Sequence, residues 1–226
     1  MGRMHATVPR TVLIADDHPL FRAALRRAVE EALGQTLVVE AADAGALRAA
    51  AAQAPDADLV LLDLMMPDSR SFAPLAWLRS LYPGMAVIVV SADENPAVMR
   101  AAFEFGAAGY VPKSAPLADL VAAIRTVVDF GQWFPPAAFA EEVRPAPAAN
   151  MAARLASLTP QQFRVLELLA LGKLNKQIAA ELGITEQTTK AHVSAALAKL
   201  GARNRTQATL VFRSLDHGAD QISLEP

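Results

Sequence analysis

The stretch DLVLLDLMMPD, residues 58–68, decides the fold of the first half of the chain. Its four apolar residues, 59–62, form a run whose length is typical of a fully buried strand. The run ends in a carboxylate, Asp63, and three more apolar residues, 64–66, and a proline follow. A charge placed directly after a buried strand either caps the chain or takes part in chemistry, and the flanking sequence helps to decide between these roles.

Short runs rich in Val and Ile alternate with alanine-rich stretches of helical length on both sides of this segment. The predicted strands are residues 11–15, 36–40, 59–63, 86–90 and 109–111. The predicted helices are residues 19–32, 43–53, 72–80, 95–105 and 115–129. This order is typical of an α/β fold, a (βα)5 doubly wound parallel sheet covered by helices on both faces, and we assign it to residues 10–130.

The second half of the chain has a different pattern. Residues 131–155 contain four of the fifteen prolines and no sustained period, which predicts a linker. Residues 156–216 are expected to form a small all-α helix-turn-helix domain. Its predicted helices begin at a capping box of Thr159 and Gln162, at an Asn175 cap, at a Thr185 cap and near Thr206.

Composition limits the classes of function. The chain has 226 residues, 53% of them hydrophobic and 19% charged, and it contains no cysteine. Disulfides, thiolate metal sites and cysteine nucleophiles are therefore excluded. No signal peptide or membrane-spanning run is apparent, so we expect a cytoplasmic protein without a membrane partner.

Charge is divided unevenly along the chain. Residues 1–130 carry 11 basic and 15 acidic side chains, a net charge of −4, whereas residues 154–213 carry 9 and 3, a net charge of +6. A basic module after an acidic one suggests that the second module binds a polyanion.

Three carboxylates follow neighbouring predicted strands, where open parallel sheets bind their ligands. Asp16 and Asp17 follow the first strand and Asp63 ends the third. Carboxylates this close need a cation to stay ionised, and their hard oxygens suit Mg²⁺. The alternative is that Asp17 only caps the first helix. Ser91 closes the fourth predicted strand, and Lys113 follows the fifth. A hydroxyl and an ammonium that face three carboxylates indicate phosphoryl transfer onto a carboxylate.

Residues 10–130 resemble the receiver domain of two-component response regulators through IADDHPLFRAAL, LVLLDLMMP, VIVVSAD and GAAGYVPKS, in order and at the family's spacing. The resemblance implies that Asp63 is the phosphoacceptor and that Ser91, Lys113 and Tyr110 respond to the phosphoryl group. It also implies Mg²⁺ binding by Asp16, Asp17 and Asp63 with the Met65 carbonyl. MPDSRS departs from the family's usual MPGxxG, so the loop after the phosphoacceptor is expected to be stiffer or differently shaped.

The third predicted helix of the basic module has an apolar face and a small polar face. The polar face, Gln187, Lys190, Ala191, Ser194 and Ala198, would allow approach to base edges in a DNA major groove. The alternative is an ordinary amphipathic helix with one solvated side. Residues 158–208 resemble the LuxR-type helix-turn-helix domain through NKQIA, LGITEQTTKAHV and KLGARNRTQA. The resemblance implies DNA binding by Lys176, Gln187, Lys190, Ala191, His192, Ser194, Lys199 and Arg205.

The whole chain resembles a NarL/FixJ-type response regulator, that is, a non-enzymatic transcriptional regulator controlled by phosphorylation of an aspartate. The implied partners are a sensor histidine kinase, double-stranded DNA and a second copy of the chain, forming a homodimer when active. We expect that dimer contact on the apolar residues of the last helix, Ala208, Leu210, Val211 and Leu215. The alternative is that all of them pack on the core of their own module. Two alternatives stay open: a phosphorylation-independent DNA-binding regulator with an atypical receiver, and a Mg²⁺-dependent aspartyl-phosphate phosphohydrolase.

Overall fold

The computed structural model describes residues 11–66, 69–70, 72–140, 154–155, 157–202 and 204–214. Side chains are described for these residues except Ser69, Arg70, Leu210, Val211, Arg213 and Ser214. Among the described helices, none is long and apolar enough to cross a membrane.

The first half forms the predicted alternation of strands and helices. The strands of its main sheet are β1 (Thr11–Ala15), β2 (Leu37–Ala41), β3 (Leu59–Leu62), β6 (Ala86–Ser91) and β7 (Gly109–Pro112). Its helices are α1 (Pro19–Leu33), α2 (Ala44–Gln53), α3 (Ala73–Leu81), α4 (Pro96–Glu104) and α5 (Leu117–Val128). Most predicted bounds agree with the structure within one or two residues.

The five strands form one parallel sheet in the order β2-β1-β3-β6-β7. All four residues of β3 are buried, because helices cover both faces of the sheet. Ala15 pairs with Leu62, so the chain leaves β1 and β3 at the same level. The residues that follow these two strands therefore meet at one edge of the sheet.

A short antiparallel hairpin, which the sequence did not predict, follows β3. Its strands are β4 (Met65–Met66) and β5 (Ser69–Arg70), and Met65 pairs with Arg70. The two strands include part of the unusual MPDSRS segment. Met65 and Met66 are thus held by backbone pairing with Arg70 and Ser69. The expected change in loop shape stays a prediction.

Within residues 157–202 and 204–214, the second domain forms four helices: α6 (Pro160–Ala170), α7 (Asn175–Leu182), α8 (Glu186–Leu200) and α9 (Arg205–Ser214). The capping box of Thr159 and Gln162 forms as predicted, and Thr185 caps α8. The predicted Asn175 cap is wrong, because Leu174 is the N-cap residue of α7. The leucine side chain has no hydrogen-bond acceptor, so the capping contact is the bond from the Leu174 backbone N–H to Gln177 Oε1, at 2.8 Å.

The beginning of the predicted linker packs on the first domain. Trp133 forms a parallel bridge with Gly109 of β7, and residues Pro136–Phe139 form a 3₁₀ helix that packs against α4. Residues 141–153, the middle of the predicted linker, lie outside the described part of the chain. The first nine residues of the predicted linker are therefore an extension of the first domain.

Candidate functional site

The three predicted carboxylates meet at the carboxyl ends of β1 and β3. Backbone bonds hold them there: the Asp63 N–H donates to the Ala15 carbonyl at 2.8 Å, and the Asp16 N–H donates to the Ala41 carbonyl at 3.1 Å. Asp16 and Asp63 are almost fully buried, and Asp17 is partly buried. Together with His18 they offer ligand atoms that all lie within 4.8 Å of one another. This cluster has the donor chemistry of a hard-cation site.

Asp17 does not cap α1. The N-cap residue is His18, whose side chain makes no capping bond, while its backbone N–H donates to Asp16 Oδ1 at 2.7 Å. Asp17 instead faces the His18 ring, with its Oδ1 2.7 Å from Nδ1. The alternative role considered for Asp17 is therefore wrong.

Lys113 bridges the two buried carboxylates. Its Nζ lies 2.7 Å from Oδ2 of Asp63, with hydrogen-bond geometry, and 2.7 Å from Oδ2 of Asp16 as an ion pair. Burial alone would lower the pKa of Lys113, but the two carboxylates outweigh it and raise the pKa above the ordinary lysine value. The side chain thus stays a cation inside the cluster.

Two buried carboxylate oxygens in the cluster each face a nitrogen atom. Asp16 Oδ2 lies 2.7 Å from Lys113 Nζ, and Asp17 Oδ1 lies 2.7 Å from His18 Nδ1. Carboxylates this close repel one another unless cations compensate them. Three carboxylates surround one ammonium, so the residues present fit a divalent metal ion.

Ser91 and Tyr110 lie beside the cluster and are fully buried. Ser91 ends β6, and its carbonyl accepts the Lys113 N–H at 2.7 Å, which ties the serine and lysine segments together. The Tyr110 hydroxyl donates to the Asp93 carbonyl at 2.6 Å. Burial raises the pKa of Tyr110 more than its hydrogen bond with Ser91 lowers it, so the phenol keeps its proton and acts as a donor. Both side chains occupy the predicted positions.

A group of side chains on α4 and the linker forms a contact that sequence reasoning missed. The rings of Phe103, Phe134 and Phe139 meet pairwise, edge to face, at centroid distances of 5.3–5.8 Å. The Arg100 guanidinium lies 5.5 Å from the Phe103 and Phe139 rings and pairs with Glu104 at 3.0 Å. We call these three rings and Arg100 the aromatic clasp. It fastens the 3₁₀ helix to α4.

The Tyr110 segment contacts the same stretch of linker. The Tyr110 N–H donates to the Trp133 carbonyl at 2.7 Å, and the Trp133 N–H donates to the Ala108 carbonyl at 3.1 Å. The residue before Phe134 is therefore paired with the strand that carries Tyr110. Only the clustering of aromatic residues in GQWFPPAAF could have hinted at this packing.

The predicted reading helix, α8, presents its small polar face to solvent. Gln187, Lys190, Ala191 and Ser194 are all exposed, and Lys190 forms a 3.2 Å ion pair with Glu186. On the opposite face, Thr189 is fully buried, and its hydroxyl donates to the Thr185 carbonyl at 3.1 Å. The polar face is free to approach another molecule.

Two of the side chains predicted to bind DNA have partners within their own domain. Lys199 Nζ donates to the Ser157 carbonyl at 2.6 Å and to Gln162 Oε1 at 2.8 Å. The Arg205 guanidinium donates to the Lys173 carbonyl. Lys176 is exposed and His192 is half-buried. Lys199 and Arg205 therefore have structural contacts in addition to their predicted role.

The two domains touch through α2, α3 and α6. Arg48 of α2 pairs with Glu167 of α6 and lies 5.8 Å from the Trp77 ring of α3, beside a cavity of about 260 Å³. Burial raises the pKa of Glu167 more than Arg48 and Arg164 lower it. Sequence patterns gave no signal for this contact, because it joins side chains far apart along the chain.

The predicted apolar contact on α9 is only partly described. Ala208 is fully buried and belongs to the core of its own domain. The side chains of Leu210 and Val211, and all of Leu215, lie outside the described residues.

Comparison with known proteins agrees with both halves of the structure. The family model for the response regulator receiver domain matches residues 12–125, and the model for bacterial regulatory proteins of the luxR family matches residues 156–212. The chain is 37% identical to the glycerol metabolism activator of Pseudomonas putida, over 92% of this chain and 97% of the activator. It is 32% identical to the nitrate/nitrite response regulator NarL of Escherichia coli K12, over 89% and 94% of the two chains.

Among solved structures, the chain is similar to RcsB of Salmonella enterica serovar Typhimurium bound to a promoter in the presence of a beryllofluoride phosphomimetic. The TM-score is 0.53 at 26% identity, covering 92% of this chain and 98% of RcsB. Another RcsB structure, described as two dimers bound to two parallel DNAs, also aligns with a TM-score of 0.53 and 26% identity, over 92% and 98% of the two chains. The chain therefore belongs to the two-component response regulators that join a receiver domain to a LuxR-type DNA-binding domain and regulate transcription.

Proposed function

We propose that a sensor histidine kinase phosphorylates this regulator on Asp63 and thereby changes how its LuxR-type domain engages DNA. The observation that carries the proposal is the buried pair of Asp16 and Asp63 bridged by Lys113 at 2.7 Å. A strand-end carboxylate beside a cation and two further carboxylates that can hold a metal ion is an acceptor prepared for an anionic phosphoryl group.

Mg²⁺ is the cofactor that we assign to the cluster. Asp16, Asp17, Asp63 and the Met65 carbonyl would hold it. The three carboxylates support this assignment, because their ligand oxygens lie within 4.8 Å of one another beside a single ammonium, that of Lys113. When bound, the metal ion neutralises the carboxylates and the phosphoryl oxygens.

The chain's own residues have distinct parts in the transfer. A carboxylate oxygen of Asp63 forms the new P–O bond as the bond from phosphorus to the donor breaks, and the donor leaves with that electron pair. Lys113 moves from Asp16 toward the transferred group, and the Ser91 hydroxyl donates to one of its oxygens. No carboxylate stands two residues beyond Asp63, where Met65 lies half-exposed. This absence of a general base there favours a lasting phosphoprotein over a hydrolase.

The signal reaches the linker through the Tyr110 segment and the aromatic clasp. A shift of Ser91 toward the phosphoryl group moves the 91–95 segment, whose Asp93 carbonyl holds the Tyr110 hydroxyl. That segment leads directly into α4, since Asn95 is its N-cap residue. Because the clasp joins α4 to the 3₁₀ helix, motion of α4 moves the start of the linker.

Double-stranded DNA is the proposed partner of α8. Gln187, Lys190, Ala191 and Ser194 would face the major groove, because they form an exposed strip of small and polar side chains. Lys176 and His192 would contact the DNA backbone. Lys199 and Arg205 remain predicted backbone contacts, although each must release an internal carbonyl to reach a phosphate. As RcsB is described as dimeric on DNA, we assign a homodimer to the active state.

The experiment is footprinting of the full chain on genomic fragments with and without acetyl phosphate and Mg²⁺, paired with intact-mass measurement. We expect one added phosphate and a stronger or extended footprint. The Asp63→Asn variant should gain no phosphate and should keep the unphosphorylated footprint. Phosphate on Asp63→Asn would refute the site. Identical footprints for phosphorylated and unphosphorylated protein would instead favour the phosphorylation-independent alternative.

A further inference from the structure

Phe21, in the first turn of α1, places its ring beside the cation of the carboxylate cluster. The Lys113 Nζ lies 4.7 Å from the centroid of this ring. Phe21 is half-buried and packs against the apolar cluster between the sheet, α1 and α5. Through this packing, α1 places the ring beside the loop that follows β7.

The Lys113 ammonium is enclosed by these groups. Carboxylates of Asp16 and Asp63 lie on one side at 2.7 Å, the Phe21 ring contributes another wall, and the side chain is only 15% exposed. A cation within about 6 Å of a ring centroid is attracted to the ring, and the attraction grows when water is excluded. The ring thus takes the place of part of the hydration of the ammonium.

Phosphoryl transfer to Asp63 requires this ammonium to change partners. Lys113 has to leave Asp16, whose oxygen is needed by the metal ion, and then follow the phosphoryl group. A flexible lysine released from a carboxylate would otherwise move into solvent and lose rotamer order. A neutral ring can hold the ammonium near the cluster without competing for a hydrogen bond.

We propose that Phe21 is a positioning residue for phosphorylation, holding Lys113 over the carboxylate cluster through a cation–π contact while it changes partners from Asp16 to the phosphoryl group. This rests on the proposed function of Asp63. In the observed arrangement the ring also stabilises the lysine that pairs with Asp16. The ring therefore makes it harder for a metal ion to displace Lys113 from Asp16.

The test uses the full chain with Phe21→Leu, Phe21→Tyr and a series carrying phenylalanines with one to five ring fluorines at position 21. Fluorine withdraws electron density from the ring face with little change of shape, so it weakens a cation–π contact while packing is kept. Two quantities are measured: the rate of phosphate uptake from acetyl phosphate at saturating Mg²⁺, by intact mass, and the Mg²⁺ dissociation constant without phosphodonor, by calorimetry.

We expect Phe21→Leu to slow phosphate uptake by roughly two- to thirtyfold, Phe21→Tyr to stay within about twofold of the natural protein, and the rate to fall with each fluorine. The Mg²⁺ dissociation constant should move oppositely, decreasing by up to about tenfold in Phe21→Leu and along the fluorinated series. Phe130→Leu is the matched control, because Phe130 is 90% exposed, and it should change neither quantity.

A ring that serves only to pack α1 would give a different pattern. Leucine and tyrosine would then be tolerated alike, or both would lower thermal stability, and fluorination would change neither rate nor Mg²⁺ affinity; this result overturns the proposal. Failure of the proposed function is distinguishable, because the natural protein would then take up no phosphate on Asp63. In that case the Mg²⁺ titrations across the fluorinated series still decide the role of Phe21.

Discussion

Replacing Phe103 with leucine should loosen the attachment of the linker to the receiver domain. The substitution keeps an apolar side chain but removes edge-to-face contacts with Phe134 at 5.5 Å and Phe139 at 5.3 Å, and the contact with Arg100 at 5.5 Å. Each aromatic pair contributes about 0.5–1.5 kcal/mol beyond area burial, and a partly exposed cation–π contact about 0.5–1 kcal/mol. The free energy that holds residues 131–139 on the receiver should fall by about 1.5–4 kcal/mol.

Amide hydrogen exchange measures this directly. The Trp133 amide donates to Ala108 and the Tyr110 amide donates to Trp133, so both should exchange faster when the linker opens. If they exchange by local opening, the loss corresponds to roughly 10- to 1000-fold faster exchange. Phe130→Leu, the same substitution at a 90% exposed position nearby, should leave both amides unchanged. Unchanged protection of Trp133 in Phe103→Leu would refute the role of the clasp.

Four further predictions concern the DNA-binding domain and its contact with the receiver. Thr189→Val should change the free energy of unfolding by less than about 1 kcal/mol, because the Thr185 carbonyl keeps its helical hydrogen bond from the backbone N–H of residue 189. Thr189→Ser should lose about 1 kcal/mol of methyl burial. Urea denaturation of both variants checks that the serine variant is the less stable. Burial raises the pKa of Glu167, so its contribution to stability is fully present below pH 4.5 and is lost as pH rises through the raised pKa. In Glu167→Gln this loss of stability with rising pH should be absent. The urea midpoint is measured at pH 4 and pH 7, and equal shifts in both proteins would contradict the prediction. Lys190→Ala should cost roughly 1–3 kcal/mol on the operator and less on random DNA. Lys199→Ala should weaken binding to both DNAs similarly and flatten the salt slope by about one unit. Anisotropy titrations at several salt concentrations check both lysine variants, and an unchanged salt slope would show that Lys199 serves only its internal bonds to Ser157 and Gln162.

Local pattern was sufficient to predict the main elements and the carboxylate cluster. The apolar run 59–62 has to be buried on both faces, and the parallel sheet then brings Asp63 level with Asp16. The capping box at Thr159 is likewise a property of four consecutive residues. Information of this kind lies within one strand, one turn or one sheet edge.

Other features depend on side chains that meet only after folding. The contact of Phe21 with Lys113, the aromatic clasp and the pairing of Arg48 with Glu167 each join separate elements, and none has a local sequence pattern. The prediction of the N-cap residue of α7 was wrong for a related reason. Asn175 is a strong capping residue, but Gln177 bonds back to the Leu174 backbone and allows the helix to begin with Asn175 as its first residue.

The arrangement of the two domains constrains how phosphorylation can control DNA binding. The receiver contacts α6, through Arg48 and Glu167, whereas the reading face of α8 is exposed at Gln187, Lys190 and Ser194. The docked receiver therefore leaves that face accessible, and releasing it would not uncover a hidden reading helix. Under the proposed function, we therefore expect phosphorylation to act on where α8 lies relative to α8 of a second copy of the chain. This requirement fits a path that runs from Asp63 through the clasp into the linker, because a linker sets the distance and orientation between DNA-binding domains without touching the groove face.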